Sequence, residues 1–210
     1  MTRVLLVRHG QSEWNADGRW QGQADPALTD LGRHQALHAS RALGVVDAIV
    51  ASDLQRAAET AAIIAGELGV GPLVLDPDLR ERHAGEWQGL TRAEIERAWP
   101  GYLGPPPPID GTVAQEDTRR RPPGWEPDDA LVGRAVVAIR RIYELVPHGE
   151  ALAITHGGLV YALEAMLGAP FVRLPNLGGR WMEVGPEGPE RLGERVVLVD
   201  PDELTVPDQL

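Results

Sequence analysis

Short apolar segments alternate along this chain with longer stretches in which apolar residues recur every three or four positions. The short runs predict six buried strands, at residues 4–7, 48–51, 73–75, 151–155, 181–184 and 195–199. Helical spacing that follows a capping residue predicts four helices, at 29–43 after Thr29, at 52–68 after Ser52, at 91–99 after Thr91 and at 128–146 after Asp128 or Asp129. A fifth helix is predicted at 159–167. Strands that alternate with helices predict an α/β fold of three layers, α/β/α, with a mostly parallel central sheet.

One long interruption of this pattern lies at about residues 101–127, where Pro and Gly are frequent. It contains four consecutive prolines at 105–108 and three consecutive arginines at 119–121. A segment of this length without predicted structure is typical of a lid or a binding loop. We interpret the 210 residues as a single domain with this insert, followed by a weakly packed tail after residue 201.

Composition restricts the chemistry of such a domain. The formal net charge of −11 argues against a nucleic-acid partner, because nucleic-acid binding needs a basic surface. The chain contains neither cysteine nor lysine, which excludes disulfides, thiol catalysis, cysteine-bound metals and lysine chemistry. No apolar run has the length of a membrane span or of a signal-peptide core, so we expect a cytoplasmic protein without a membrane partner.

Reactive and cationic side chains follow three of the predicted strands. They are Arg8, His9 and Gly10 after the first strand, Ser52 and Arg56 after the second, and His156 after the fourth. The carboxyl ends of parallel strands share one edge, where ligands bind in open α/β sheets. Arg56 in the first turn of a helix opposes the helix dipole, which indicates an anionic partner. Gly10 is expected to let the backbone approach that ligand closely. The pattern predicts a phosphate pocket.

Five ordered motifs support this hypothesis. They are RHGQSEWN at 8–15, TDLG at 29–32, ASDLQRAAETA at 51–61, LRERHAG at 79–85 and THGG at 155–158. In this combination the chain resembles the histidine phosphatase superfamily, the phosphoglycerate-mutase-like group, from about residue 3 to 184. The resemblance implies a phosphoglycerate-mutase-like fold and a phosphomonoester hydrolase that forms a phosphohistidine. It implies no metal and no other cofactor.

The resemblance also implies roles for individual residues. His9 corresponds to the nucleophile and Glu81 to the proton donor and acceptor, with Glu86 as the next candidate for that role. The residues that hold the phosphoryl oxygens are Arg8, Arg56 and His156. The remaining expected substrate-binding positions are Asn15, Gln21, Gly22 and Gly157. Neighbouring guanidinium groups should keep the His9 imidazole neutral, as nucleophilic attack on phosphorus requires.

Departures from the family pattern separate mutases from phosphatases. Mutases of this group resemble ERHYG and HGN where this chain has Ala84 and Gly158, and they use a lysine, which is absent here. A phosphatase is therefore favoured, and a cofactor-dependent phosphoglycerate mutase is the alternative. Several segments, including Gln21 and residues 176–179, resemble actinobacterial phosphatases of glucosyl-3-phosphoglycerate. A sugar phosphate or phosphoglycerate-type substrate is expected, although residues 124–127 read Gly-Trp-Glu-Pro where Gly-Glu-Ser is usual.

Two other interpretations remain open. The Asp-Pro-Asp sequences at 76–78 and 200–202 resemble the start of the magnesium-dependent aspartyl phosphatase motif, but its later Thr or Val and its lysine are missing. A non-enzymatic phosphate-binding module would be natural only without His9 or Glu81. The expected partners are a small-molecule phosphomonoester and, in a homodimer, a second copy of the chain.

Overall fold

A single mixed sheet forms the centre of the protein. The computed structural model describes residues 1–104 and 120–207. The strands in these residues are β1 (Thr2–Arg8), β2 (Ala48–Ala51), β3 (Val74–Leu75), β4 (Glu150–Thr155), β5 (Gly178–Gly185) and β6 (Gly188–Val197). Their order in the sheet is β3-β2-β4-β1-β5-β6. The first four strands are parallel and β5 and β6 are antiparallel, which confirms the predicted α/β fold with a mostly parallel sheet.

Helices cover both faces of the sheet. The helices in the described residues are α1 (Glu13–Ala16), α2 (Asp30–Ala42), α3 (Gln55–Leu68), α4 (Arg92–Ala98), α5 (Asp128–Leu145) and α6 (Gly157–Met166). Val4 and Leu6 of β1 pack in the cluster that contains α5 and α6, whereas Leu5 and Val7 pack in the cluster that contains α2 and α3. Successive side chains of a strand point to opposite faces. Because both faces of β1 are covered at its centre, residues 4–7 form a continuous apolar run.

The structure corrects two predicted helix caps. Ser52 does not cap α3, because Leu54 occupies the N-cap position and makes no side-chain cap. The Ser52 hydroxyl instead accepts a hydrogen bond from Leu54 N at 3.3 Å and contacts His156. At α5 the N-cap is Pro127, and Asp128 and Asp129 lie inside the first turn, where their charge still complements the helix dipole.

The last two strands form a longer hairpin than the apolar pattern predicts. β5 and β6 pair from Gly178↔Val197 to Gly185↔Gly188. β6 carries two adjacent pairs of charged residues, at 190–191 and 194–195, and lies at an edge of the sheet. An apolar pattern alone therefore misses most of β6. The α6 helix likewise begins at Gly157, two residues before the predicted start.

Part of the insert packs beside the sheet. Trp20, Trp87 and two aliphatic residues form a separate small cluster, and Trp125 packs against it. Trp125 also pairs with Ala84 in an isolated antiparallel bridge. The proline run 105–108 and Arg119 lie outside the described residues.

The tail is attached by hydrogen bonds although none of residues 201–207 is buried. Gln35 Nε2 donates to Glu203 O at 2.7 Å, and Asn176 N donates to Thr205 O at 2.9 Å. The tail is thus better anchored than its sequence predicts. Within residues 1–104 and 120–207, none of the helices has the length and apolar character needed to cross a membrane.

Candidate active site

The predicted site residues meet at the carboxyl edge of the parallel strands. β1 and β2 both pair with β4, so the residues that follow these three strands come together. A cleft of about 490 Å³, including its open mouth, lies at this edge. Six of the predicted residues line it, namely Arg8, His9, Gln21, Gly22, Arg56 and Glu81.

His9 is a buried imidazole with a defined tautomer, and it is only 2% exposed. Its Nδ1 lies 2.6 Å from Gly10 O. Since a carbonyl oxygen only accepts hydrogen bonds, Nδ1 carries the proton and Nε2 carries the lone pair. Arg56 Nε donates to this Nε2 at 3.2 Å. Burial, followed by the charges of Arg56 and Arg8, holds the pKa of His9 well below its ordinary value. His9 is therefore neutral and can act as a nucleophile through Nε2.

Two buried guanidinium groups flank the His9 ring. Arg56 donates to Gly22 O at 2.9 Å and to Ala24 O at 2.8 Å, and burial lowers its pKa to about 10. Arg8 donates to Leu174 O at 3.0 Å, and its buried Nε has no hydrogen-bond partner among the described residues. Buried charges of one sign are stable only when a counter-charge compensates them. The arrangement therefore indicates an anion site.

His156 completes the buried base of the site. The His9 and His156 ring centres are 5.1 Å apart at an angle of 62°. Ser52 Oγ, which accepts from Leu54 N, lies within hydrogen-bond distance of His156 Nε2, at 2.9 Å. Burial, with the neighbouring Arg56 as the next cause, lowers the pKa of His156 well below its ordinary value. Its Nδ1 is buried and has no hydrogen-bond partner in the described parts of the chain.

Glu81 is held at the wall of the cleft by backbone donors. Its Oε2 accepts from Gly158 N at 3.0 Å and its Oε1 accepts from Arg82 N at 2.8 Å. A Cβ atom at Gly158 would stand 2.3 Å from Glu81 Oε1. Glycine at this position therefore gives the Glu81 carboxyl its room. Glu86, the second candidate for the acid, is exposed and does not line the cleft.

Asn15, Gly157 and His156 do not line the cleft directly. Asn15 lies in α1, and its Oδ1 accepts from Ser12 N at 3.3 Å and from Asn176 Nδ2 at 3.2 Å. Gly157 is the first residue of α6. The predicted roles of Asn15 and Gly157 in substrate binding stay predictions.

Two residues have functions that the sequence pattern does not show. Asn176 Nδ2 donates to His9 O at 2.9 Å and so fixes the backbone of His9. Gly10 is required by packing, because a Cβ there would lie 2.5 Å from Gly32 O at the start of α2. The expectation that Gly10 also lets the backbone approach a ligand closely stays a prediction.

The outer cleft contains residues that the motifs do not assign. Arg19, Arg82, Trp20 and Trp125 line it. The Arg82 guanidinium carbon lies 5.4 Å from the Trp125 ring centre, and the Trp20 and Trp125 rings are 5.9 Å apart. Trp125 belongs to the part of the insert that departs from the family pattern, so no motif could have placed it here.

The positions of Asp76 and Asp78 do not support the aspartyl phosphatase interpretation. Asp76 and Asp78 accept hydrogen bonds from Arg141 at 2.5–2.8 Å, and Asp76 caps the turn at Pro77–Leu79. Neither aspartate lines the cleft. Within residues 1–104 and 120–207, no cluster of three or more His, Asp or Glu side chains could hold a metal ion.

Known proteins resemble this chain in sequence and structure. It is 38% identical over 190 residues to glucosyl-3-phosphoglycerate phosphatase of Mycolicibacterium vanbaalenii, over 84% of this chain and 79% of that protein. It is 34% identical over 166 residues to the metal-independent phosphoserine phosphatase of Arabidopsis thaliana, over 78% and 67% of the two proteins. The solved structure of a mycobacterial glucosyl-3-phosphoglycerate phosphatase in complex with VO3 matches with a TM-score of 0.77 at 31% identity, over 90% and 96% of the chains.

These relatives confirm the predicted fold and the prediction of a phosphatase. The family model of the histidine phosphatase superfamily (branch 1) matches residues 4–184, nearly the range over which the motifs carry the resemblance. That range contains the neutral imidazole, the two buried arginines and the carboxyl that form the cleft. The chain belongs to the histidine phosphatase superfamily, branch 1.

Proposed function

We propose that this protein hydrolyses phosphomonoesters by transferring the phosphoryl group first to His9 and then to water. The observation that carries the proposal is the geometry around His9 Nε2. Its lone pair lies beside two buried guanidinium groups, and the Glu81 carboxyl lines the same cleft. An anion, a nucleophile and a proton donor can therefore meet in one place.

In the first step the His9 Nε2 lone pair forms a bond to phosphorus and the ester P–O bond breaks. Arg56 Nε must exchange its hydrogen bond to Nε2 for one to a phosphoryl oxygen before this attack. Arg8 Nε is a further buried donor for the phosphoryl oxygens, and the buried, unpartnered His156 Nδ1 is another when it carries the ring proton. Fixed positive groups stabilise the charge of the transition state. The protonated Glu81 carboxyl gives its proton to the leaving alkoxide.

In the second step Glu81 acts as a base. Its carboxylate takes a proton from water while the water oxygen attacks the phosphohistidine. The P–N bond breaks, neutral His9 is restored, and inorganic phosphate is released. Glu81 ends the cycle protonated, ready for the next substrate molecule.

The outer cleft indicates a substrate that carries more than a phosphate group. Arg19 and Arg82 line it, each in an ion pair that a substrate carboxylate would replace, with Glu94 at 3.0 Å and with Asp128 at 2.6 Å. Trp20 and Trp125 supply aromatic surface. Glucosyl-3-phosphoglycerate and phosphoserine, the substrates named for two relatives, are both phosphate esters that also bear a carboxylate. Arginine binds carboxylates well. We therefore propose a carboxylate-bearing phosphomonoester as the substrate, with glucosyl-3-phosphoglycerate as the first compound to test.

Two substitutions test the roles of nucleophile and acid. His9→Ala should abolish turnover of every phosphomonoester and the formation of an acid-labile phosphoenzyme. Glu81→Gln should lower kcat/KM for alkyl phosphates by roughly 10²–10⁴-fold. The loss should be much smaller for p-nitrophenyl phosphate, because p-nitrophenolate leaves without a proton. Turnover by His9→Ala, or an equal loss on both substrates for Glu81→Gln, would contradict the assigned roles.

The cytoplasmic location, the homodimer and the absence of a nucleic-acid partner stay predictions from composition and resemblance. Light scattering of the purified protein measures its oligomeric state directly. A mass of one chain would contradict the homodimer.

A further inference from the structure

Arg134 of α5 makes five hydrogen bonds, three of them to the segment that carries Glu81. Its Nη1 donates to Asp78 O at 2.9 Å and to Arg80 O at 2.6 Å, and its Nη2 donates to Glu81 O at 3.0 Å. The remaining donors bind Glu126, with Nε at 2.7 Å from Oε1 and Nη2 at 2.8 Å from Oε2. The Arg134 side chain is 16% exposed. A planar guanidinium with five fixed N–H groups matches this set of acceptors, and a lysine ammonium could not.

Glu126 connects the end of the insert to the same segment. Its Oε2 accepts from His83 N at 3.0 Å, and its backbone N donates to His83 O at 3.0 Å. Its carbonyl oxygen accepts from Arg82 Nη1 at 2.7 Å. Although burial opposes ionisation, the hydrogen bonds from Arg134 and His83 hold the pKa of Glu126 below its ordinary value. An ionised Glu126 thus joins α5, the insert and the two residues that follow Glu81.

The segment depends on such external donors. Between β3 and α4 the chain forms only two short 3-10 turns, Pro77–Leu79 and Gly85–Trp87. Most backbone carbonyl groups of this segment therefore accept no hydrogen bond from a regular helix or sheet. Buried carbonyl groups must be satisfied from elsewhere. Gln23 Nε2 supplies one further bond to Glu81 O at 3.1 Å, and Gly158 N holds the Glu81 side chain. Arg134 therefore fixes the main chain from which the acid projects.

We propose that Arg134 and Glu126, called here the Arg134–Glu126 clamp, are positioning residues that hold Glu81 within reach of the leaving-group oxygen. This inference rests on the proposed role of Glu81 as the acid. Neither clamp residue lines the cleft, so the clamp acts through the main chain. Trp125, which lines the cleft, directly precedes Glu126 in the chain. The clamp therefore also fixes the position of Trp125 relative to Glu81.

A matched control exists on the same helix. Arg141 lies on α5 two turns after Arg134 and binds the start of the same segment, at the carboxylates of Asp76 and Asp78. Its hydrogen bonds in the described part of the chain go to Asp76 and Asp78 and not to Glu81 or either neighbour of Glu81. Arg141→Met therefore removes an ion pair between α5 and this segment without releasing the acid.

The experiment measures kcat/KM on an alkyl phosphate and on p-nitrophenyl phosphate for each variant. Arg134→Lys keeps the charge but cannot make all five hydrogen bonds. A displacement of about 1 Å can reduce a rate by about 10²-fold, and we expect a loss of that order on the alkyl phosphate. On p-nitrophenyl phosphate the loss should be much smaller. Glu126→Gln, which keeps the size of the side chain, should also lose more kcat/KM on the alkyl phosphate than on p-nitrophenyl phosphate, but by a smaller factor. Arg141→Met should show no such difference between the two substrates.

The double variant distinguishes this proposal from the role of Glu81 itself. In a Glu81→Gln background, Arg134→Lys should cause no further loss that depends on the leaving group, since the acid is already absent. The clamp proposal is overturned if Arg134→Lys affects both substrates equally while Glu81→Gln still discriminates between them. If Glu81→Gln does not discriminate either, the failure lies in the proposed function. Circular dichroism melting curves ensure that each variant is folded at the assay temperature.

Discussion

Gly158→Ala is the substitution for which the structure predicts the sharpest effect. The added Cβ would lie 2.3 Å from Glu81 Oε1 and 3.1 Å from its Cδ, whereas ordinary contact begins at 3.4 Å. Relief of the clash requires a movement of 3.4 − 2.3, or about 1 Å, and the Glu81 side chain is the group that can move. The hydrogen bond from Gly158 N to Oε2 at 3.0 Å would then be lost or lengthened.

The magnitude follows from the role of the acid. A displacement of about 1 Å costs on the order of 10²-fold, and complete loss of the acid costs roughly 10²–10⁴-fold. Gly158→Ala should therefore lower kcat/KM about 10²-fold on alkyl phosphates and only slightly on p-nitrophenyl phosphate. The inhibition constant of inorganic phosphate should hardly change, because Arg8, Arg56 and His156 are untouched.

Gly133→Ala serves as the control glycine substitution. Gly133 lies in α5, and a Cβ there meets no atom within 4 Å. This variant should keep full activity and gain about 0.5–1 kcal/mol in the free energy of unfolding. If Gly158→Ala keeps its activity on alkyl phosphates, or loses activity equally on both substrates, the clash with Glu81 is not the reason for glycine at this position.

Further outcomes follow from the buried imidazoles, the donor groups and the outer cleft. Because burial lowers the folded-state pKa of His9 and His156, the unfolded chain binds more protons once the pH falls below about 6.5. The melting temperature should therefore decrease as the pH falls through that value, and a shallower decrease is expected for His9→Ala; an unchanged slope would contradict the neutral, buried state. Hydrolysis of p-nitrophenyl phosphate should survive excess EDTA, and a loss that magnesium restores would revive the aspartyl mechanism. With 3-phosphoglycerate and a bisphosphoglycerate primer, Ala84 and Gly158 predict release of phosphate, and rapid formation of 2-phosphoglycerate would show a mutase instead. Trp125→Ala should raise KM for glucosyl-3-phosphoglycerate more than for 3-phosphoglycerate, and equal effects would place the sugar elsewhere.

The amino-acid sequence alone determined the layers of the fold and the sheet edge at which Arg8, His9, Arg56 and His156 meet. β1 is buried on both faces, so its apolar run and the abrupt change to Arg8 and His9 are local signals of a strand and of its functional end. Parallel pairing of β1 and β2 with β4 then brings Arg56 and His156 to the same edge without further information. The spacing of the motifs was sufficient to identify the family, because short turns directly after the strands set the positions of the motif residues.

Tertiary structure alone decided how the acid is held and what surrounds the leaving group. Glu81 depends on Gly158 N, 77 positions away in the chain, and its main chain depends on Arg134, 53 positions away. Ser52 resembles a helix cap in sequence but binds His156, 104 positions away. Trp125 reaches the cleft through its bridge to Ala84. Contacts between residues so distant in sequence leave no local periodicity or cap signal, because their energy exists only once the sheet and α5 have packed together.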